Sequence, residues 1–205
     1  MRPSFLNRYT SLPVALDVLY RRRLTLLSPD LWEDRNDAHY LQRYQSARKL
    51  TTVLAICFSA RREAFHFWKV FSNGPSGVCI EFDRRKLIET FPKWSGFRCN
   101  DVTYSLIRDV TDRRPPVKTW PFLKRKAFED EREFRVIYES DEDHEREKHV
   151  DISLTCVHRV TLSPWLPDSV SESVRKIIRR IDGCNELTVN RSSLINNSGW
   201  RKAIE

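Results

Sequence analysis

The segment KRKAFEDEREFRVIYES, residues 124–140, places two carboxylates one residue apart at the start of an apolar run that is typical of a strand. Side chains at i and i+2 of a strand project from the same face, so Glu131, Glu133 and Arg135 are predicted to share one space that opens to a pocket. Two interpretations remain open. The group is either an ion-paired strand entrance or a site in which the carboxylates do chemistry.

The cysteines and histidines show no spacing of a metal site. The cysteines are odd in number and lack CxxC spacing, and three of them stand in apolar, strand-like runs: Cys57, Cys79, Cys99, Cys156 and Cys184. The histidines show neither HxxxH nor HExxH spacing: His39, His66, His144, His149 and His158. We therefore predict no metal site and no disulfide framework.

Charge is a stronger signal of partners. The chain has 36 Lys and Arg against 28 Asp and Glu, a formal net charge of +8. Arginine clusters recur at 21–23, 61–62, 84–85, 113–114 and 176–180. Each cluster could be a solvated face, but together they favour a nucleic acid or another phosphate-rich partner, because arginine binds phosphate through a bidentate fork.

The length of 205 residues, with 40% hydrophobic and 31% charged residues, suits one domain with one core, and we predict a single domain over residues 1–205. No apolar run is long enough to span a bilayer, and the first residues lack the apolar stretch of a signal peptide. These features predict a cytoplasmic protein without a membrane partner. A protein partner is also possible from composition alone.

Periodicity predicts an α+β fold with a central mixed or antiparallel sheet and flanking helices. Helices are predicted at about 12–22, 37–49, 63–71 and 169–182, the last from the capping-box spacing of Ser169 and Glu172. Strands are predicted at 51–59, 77–83, 102–107, 133–140, 152–162 and 186–190. The polar stretches RDVTDRRPP and SDEDHEREKH are predicted to be loops.

Several motifs resemble a bacterial domain-of-unknown-function family, number twenty-nine seventy-one. They are RYTS at 8–11, LSPDLWEDRND at 27–37, CFS at 57–59, FWKVFSNGPSGVCIEFD at 67–83, VTY at 102–104 and KAFEDEREFR at 126–135. The resemblance covers about residues 5–165, with 166–205 as an extension of the same core. It implies an association with phage-defence or toxin–antitoxin systems.

The chain departs from that family's pattern at several positions. Thr10 stands where the family often has arginine, Phe71 replaces a tyrosine, and Phe128 and Phe134 replace tryptophans. The loop residues Glu33, Asp34 and Arg35 replace Asn-Asp-Pro. The chain therefore lacks the guanidinium and the tyrosine hydroxyl that the family has at these two positions, whereas the aromatic replacements keep bulk.

A more distant resemblance is to ADP-ribosyltransferases, through an arginine on a first strand, a serine on a second and a Glu-x-Glu at the head of a later strand. It implies NAD as substrate, Glu133 stabilising an oxocarbenium-like transition state and Glu131 accepting a proton from the nucleophile. Cofactor-binding residues implied by it are Arg8, Tyr9, Ser11, Ser59, Trp68 and Arg135. Ser59 could instead be a strand-end hydrogen-bonding residue, and Trp68 a core aromatic.

Two other classes of function remain open. One is a metal-dependent nuclease, in which Glu81, Asp83 and the acidic pair would gather Mg²⁺ while Lys126 steadies the charge. The other is a noncatalytic nucleic-acid- or partner-binding module of the immunity or antitoxin type.

Overall fold

The computed structural model describes residues 4–72, 74–142 and 144–204. In chain order the strands are β1 (Phe5–Ser11), β2 (Arg23–Leu27), β3 (Thr52–Ser59), β4 (Gly77–Asp83), β5 (Phe97–Asp101), β6 (Thr103–Ser105), β7 (Leu123–Arg125), β8 (Glu133–Ser140), β9 (Glu147–Asp151), β10 (Val157–Leu162) and β11 (Thr188–Arg191). The helices are α1 (Leu12–Arg21), α2 (Arg35–Arg48), α3 (Phe65–Phe71), α4 (Arg84–Glu89), α5 (Ile107–Asp112), α6 (Asp168–Arg179) and α7 (Ser198–Lys202). Short 3₁₀ helices include Val117–Phe122 and Lys126–Glu131.

The chain divides into two compact units. The first unit comprises Met1–Arg23, Arg62–Lys86 and Ile152–Glu205, and the second comprises Leu24–Arg61 and Leu87–Asp151. The prediction of a single domain over residues 1–205 stays a prediction.

In the first unit the strands follow the order β11, β10, β4, β1. β4 pairs antiparallel with both β1 and β10, whereas β10 and β11 run parallel. α6 connects the parallel pair, as a parallel connection requires. The sheet is therefore mixed.

In the second unit β8 pairs antiparallel with β3 on one side and with β5 on the other. Both β3 and β8 are buried along most of their length, which agrees with the continuous apolar runs that predicted them. α2 covers this pair through a hydrophobic cluster that includes Leu41, Tyr44, Val53 and Ile137. The beginning of α2 and the beginning of β8 both carry ionisable groups inward.

The α+β class with a mixed sheet and flanking helices is confirmed. Strands predicted at 51–59, 77–83 and 133–140 match β3, β4 and β8 closely. The elements without a predicted counterpart include β2, β5, β7, β9, α4 and α7. They are short or half-exposed, with burial that alternates or is sparse, so their sequences carry little periodic signal.

Four predictions of secondary structure were wrong. The predicted loop RDVTDRRPP contains α5, and the loop SDEDHEREKH runs into β9. The predicted strand 152–162 forms only from Val157, because a 3₁₀ turn with Ser153 as its cap occupies Leu154–Cys156. The capping box at Ser169 is also wrong, since α6 begins one residue earlier after Pro167 and has no side-chain cap.

No helix within these described ranges combines the length and the apolar character needed to cross a bilayer.

Candidate active site

Ionisable side chains of the second unit converge beside the start of β8 and form what we call the ionic cluster: Asp37, Lys124, Glu131, Glu133 and Arg135. They come from α2, β7, the 3₁₀ helix Lys126–Glu131 and β8. Three carboxylates face two cations. With every group ionised, the cluster carries one excess negative charge.

Arg135 lies at the centre of the ionic cluster and is fully buried. Its Nη1 and Nη2 donate to the two carboxylate oxygens of Asp37 at 2.9 and 2.6 Å, and its Nε donates to Glu133 Oε1 at 2.6 Å. Nη1 also donates to the carbonyl oxygen of Pro121 at 2.8 Å. The ring of Trp32 lies 5.0 Å from the guanidinium carbon. The rigid fork of arginine thus fixes Asp37 and Glu133 relative to each other.

Lys124 contacts all three carboxylates. Its Nζ donates to Glu131 Oε2 at 2.7 Å and to Glu133 Oε2 at 3.2 Å, and lies 3.7 Å from Asp37 Oδ2. Its side chain is only 10% exposed. A point charge with three donors suits this role, because it can serve several carboxylates at once.

The start of α2 places Asp37 in the interior. Asp34 caps the helix by accepting from the backbone N–H groups of Asn36 and Asp37 at 3.1 and 3.3 Å. Asp37 precedes Leu41 and Tyr44 by four and seven residues, and all three are buried on the same side of the helix. An acid on the apolar face of a helix must find a cation, and Arg135 supplies it.

Glu131 does not lie on the strand, so the i, i+2 prediction was wrong for this residue. β8 begins at Glu133, and Glu131 ends the preceding 3₁₀ helix. Arg132 between them adopts φ 42°, in the left-handed region, which turns the chain. The two carboxylates nevertheless converge, because both bind Lys124.

Backbone hydrogen bonds hold this turn in place. Ser59, at the end of β3, donates from Oγ to the carbonyl oxygen of Glu131 at 2.7 Å and accepts from the N–H of Arg61 at 3.1 Å. The N–H of Glu133 donates to the Tyr104 hydroxyl oxygen at 2.8 Å. Of the two roles considered for Ser59, these contacts match that of a strand-end hydrogen-bonding residue.

The ionic cluster adjoins a cavity of about 240 Å³, which we call the acidic cavity. Asp37 and Lys124 line it, together with residues that include Tyr40, Val110 and Thr111. The side chains of Glu131 and Glu133 are 17% and 5% exposed, and both contact Lys124. The charge of the cluster therefore reaches the cavity through Asp37 and Lys124.

Burial and neighbouring charges shift the pKa of each ionisable group in the ionic cluster in opposite directions. Burial acts to raise the pKa of Glu133, but the charges of Arg135 and Lys124 outweigh it and hold the pKa below its ordinary value. Burial raises the pKa of Glu131 and of Asp37 above their ordinary values, although their cationic neighbours oppose this. Burial acts to lower the pKa of Lys124, yet the charges of Glu133 and Glu131 raise it. Glu133 is thus the most firmly ionised carboxylate of the ionic cluster.

The raised pKa of Glu131 predicts a pH-dependent effect of Glu131→Gln. Between its unfolded and folded pKa values the folded state binds more protons, so this group makes stability fall as pH rises through that window. Relative to wild type, Glu131→Gln should therefore gain stability as pH rises above about 4.5, the ordinary pKa of a glutamate, measured as the difference in melting temperature at each pH. Glu129→Gln, which removes an exposed carboxylate paired with Lys126, is the control and should show no trend. The prediction would be contradicted if the melting temperature of Glu131→Gln fell relative to that of wild type as pH rises.

The other predicted cofactor-binding residues belong to the first unit. Arg8 and Ser11 are half-buried on β1, opposite Ile80 and Gly77 of β4. Tyr9 is buried, with its ring centroid 5.1 Å from that of Trp68. Cofactor binding by Arg8, Tyr9 and Ser11 stays a prediction.

The predicted cofactor contact of Trp68 is wrong. The side chain is fully buried and packs against Tyr9 and Phe67. Its Nε1 donates to Glu63 Oε1 at 2.8 Å. No face of the indole is open for a nicotinamide ring, so Trp68 is a core aromatic.

The sequence prediction missed Asp37, Lys124 and Tyr104. Asp37 could have been found, because it stands in phase with the apolar residues Leu41 and Tyr44 of a predicted helix. Lys124 lies on β7, whose three residues are too short to carry a periodic signal. Tyr104 lies on β6, inside the predicted strand 102–107, but its sequence does not show that its hydroxyl would contact the site.

The residues of the nuclease alternative make other contacts. Glu81 is in the first unit and accepts from Arg159 Nη2 at 2.9 Å, while Lys126 donates to Glu129 at 2.6 Å. Within the described ranges no group of three or more His, Cys, Asp and Glu side chains is arranged to hold a metal ion.

Comparisons with known proteins found structural likeness without sequence likeness. No family model matches the chain, and no curated protein matches it. Membership of domain family twenty-nine seventy-one therefore stays a prediction.

Among solved structures, the chain is similar to DarT from Thermus sp. 2.9. For DarT in complex with ADP-ribosylated ssDNA the TM-score is 0.48 at 9% identity, covering 94% of this chain and 95% of that chain. For DarT in complex with NAD⁺ the TM-score is 0.47 at 9% identity, covering 94% and 96%. For DarT in complex with carba-NAD⁺ it is 0.44 at 8% identity, covering 93% and 96%.

Proposed function

We propose that the chain is an ADP-ribosyltransferase-like enzyme that uses NAD as its substrate in the acidic cavity. The observation that carries this proposal is the ionic cluster, in which three carboxylates oppose two cations beside a cavity. A purely structural ion-pair network gains nothing from an excess buried charge, because an unbalanced charge is costly to desolvate. A site for a cation does gain from it.

The positive charge of NAD suits a site that carries an excess negative charge. Its nicotinamide ring is cationic, and cleavage of the bond between C1′ and the ring nitrogen moves positive charge onto the ribose. The bonding electron pair leaves with neutral nicotinamide, and an acceptor oxygen then forms the new bond to C1′. A fixed negative charge close to the ribose stabilises this transition state more than it stabilises the ground state, in which the positive charge still lies on the nicotinamide ring.

In this proposal the carboxylates have different roles. Glu133, kept ionised and fixed by Arg135, supplies the negative charge that stabilises the ribosyl cation. Glu131, with its raised pKa, accepts the proton of the incoming nucleophile. Asp37 and Lys124 present the charge of the cluster to the substrate at the wall of the cavity.

The acceptor that we propose is nucleic acid. The net charge of +8 attracts polyanions, and it does so independently of the acidic cavity. A role in phage defence stays a prediction from the family resemblance.

The test is consumption of labelled NAD by the wild type, alone and with RNA, DNA or protein as acceptor. We expect release of nicotinamide and transfer of label to a nucleic acid. Glu131→Gln should lower transfer more than hydrolysis, because water can reach the cation without a base. Mg²⁺-dependent cleavage of RNA or DNA without NAD consumption would favour the nuclease, and binding alone would favour the noncatalytic module.

A further inference from the structure

A second cavity of about 370 Å³ lies in the same unit, and we call it the basic cavity. Its ionisable lining differs from that of the acidic cavity. His39 and Arg43 come from α2, one turn apart, and Arg114 comes from the segment that follows α5. The described lining contains no carboxylate.

Arg43 and Arg114 are both exposed, and Arg114 is positioned by an aromatic ring. Arg114 lies 5.1 Å from the ring centroid of Trp120, and the Trp120 Nε1 donates to the carbonyl oxygen of Pro115 at 2.9 Å, which fixes the ring. Among the described residues neither Arg43 nor Arg114 forms a salt bridge within 4.0 Å. Among the described residues these two guanidinium groups have no carboxylate partner and one is stacked on an aromatic ring, which favours an oxyanion such as a phosphate group that can accept paired N–H bonds.

The two cavities adjoin each other. Tyr40, Val110 and Thr111 line both of them. Asp37 and Arg43 are six residues apart on α2, which corresponds to about 9 Å along the helix axis. The first cavity is lined by Asp34, Asp37, Lys124 and Arg125, with the ionic cluster and its one excess negative charge behind Asp37 and Lys124, whereas the ionisable lining of the second is His39, Arg43 and Arg114. A ligand that spans the shared wall would therefore meet the ionic cluster at one end and arginine side chains at the other.

We propose that the basic cavity is a phosphate-binding subsite in which Arg43 and Arg114 hold the pyrophosphate of the dinucleotide. This inference rests on the proposed function, since NAD has a cationic ring on a ribose at one end and a pyrophosphate next to that ribose. It assigns the pyrophosphate to residues of the second unit. The ADP-ribosyltransferase resemblance instead implies cofactor binding by Arg8, which belongs to the first unit.

The experiment measures the Kd of ADP-ribose by calorimetry, because ADP-ribose keeps the pyrophosphate and is not consumed. Arg43→Gln and Arg114→Gln should each weaken binding by about tenfold or more, and the double variant by more than either. Arg48→Gln is the matched control: it is an exposed arginine on the same helix that does not line the cavity, and its Kd should stay at the wild-type value.

The outcomes separate this inference from the proposed function. If the wild type consumes NAD and both arginine variants keep its KM and its Kd for ADP-ribose, the subsite is wrong and the transferase stands. If ADP-ribose binding depends on Arg43 and Arg114 but NAD is not consumed, the subsite stands and the transferase is wrong. If the variants lose only affinity for a short single-stranded oligonucleotide, the cavity serves nucleic acid and the proposal is overturned.

Discussion

Glu133→Gln is expected to lower NAD turnover by about two to four orders of magnitude, equivalent to about 2.7–5.4 kcal/mol, while the chain stays folded. A unit charge about 4 Å from a developing cation is worth about 4 kcal/mol at an effective dielectric constant of about 20, which lies within this range. The substitution leaves two carboxylates against two cations, so the excess negative charge disappears. The measurement is steady-state nicotinamide release, with NAD affinity measured separately.

The fold should tolerate this change. Gln keeps an acceptor for Arg135 Nε, so we expect a loss of about 1–3 kcal/mol in the free energy of unfolding. Glu139→Gln is the matched control. Glu139 lies on the same strand, and its Oε1 accepts from Arg98 Nη1 at 2.7 Å, outside the ionic cluster. It should lose comparable stability and keep turnover. Equal, small losses of turnover in both variants would rule out the electrostatic role of Glu133.

Arg135→Met is expected to cost about 3–5 kcal/mol in the free energy of unfolding, a large share of the roughly 5–15 kcal/mol of an ordinary domain. The substitution leaves three carboxylates around Lys124 alone, at a site where Arg135 is fully buried. Removal of one partner from a buried pair is costly because the remaining charge has lost its compensation. Urea unfolding monitored by circular dichroism measures the loss.

Two further variants make this prediction specific. Arg61→Met breaks the partly exposed pair with Asp130 and should cost only about 0–1 kcal/mol. The double variant Arg135→Met with Asp37→Asn should lose less free energy of unfolding than the sum of the two single variants. The reason is that Asp37→Asn removes the carboxylate that Arg135→Met leaves without its guanidinium partner. Additive costs would show that Arg135 and Asp37 do not act as a pair. Should Arg135→Met fail to fold, Arg135→Lys allows the same cycle.

Part of the candidate site was predictable from local sequence. The carboxylates of 131 and 133 and the arginine at 135 stood out because charged groups at the start of an apolar run need partners. Their grouping is confirmed by the contacts of Arg135 and Lys124, although the geometry at Glu131 differs. Periodicity also found the strands β3 and β8 on either side, since both are buried along nearly their whole length.

The sequence by itself determined the α+β class, the buried strands and the net charge of +8, because these follow from composition and from periods of two and 3.6 residues. Only the tertiary structure decided which groups share the ionic cluster. Asp37 lies 98 positions from Arg135, and no local pattern specifies a pair at that separation. Tertiary packing also buried Trp68, whose aromatic ring the sequence left equally suited to a core or to a ligand. The reason is that local sequence sets which face of an element is apolar, whereas the partner of a buried charge is set by which faces the fold brings together.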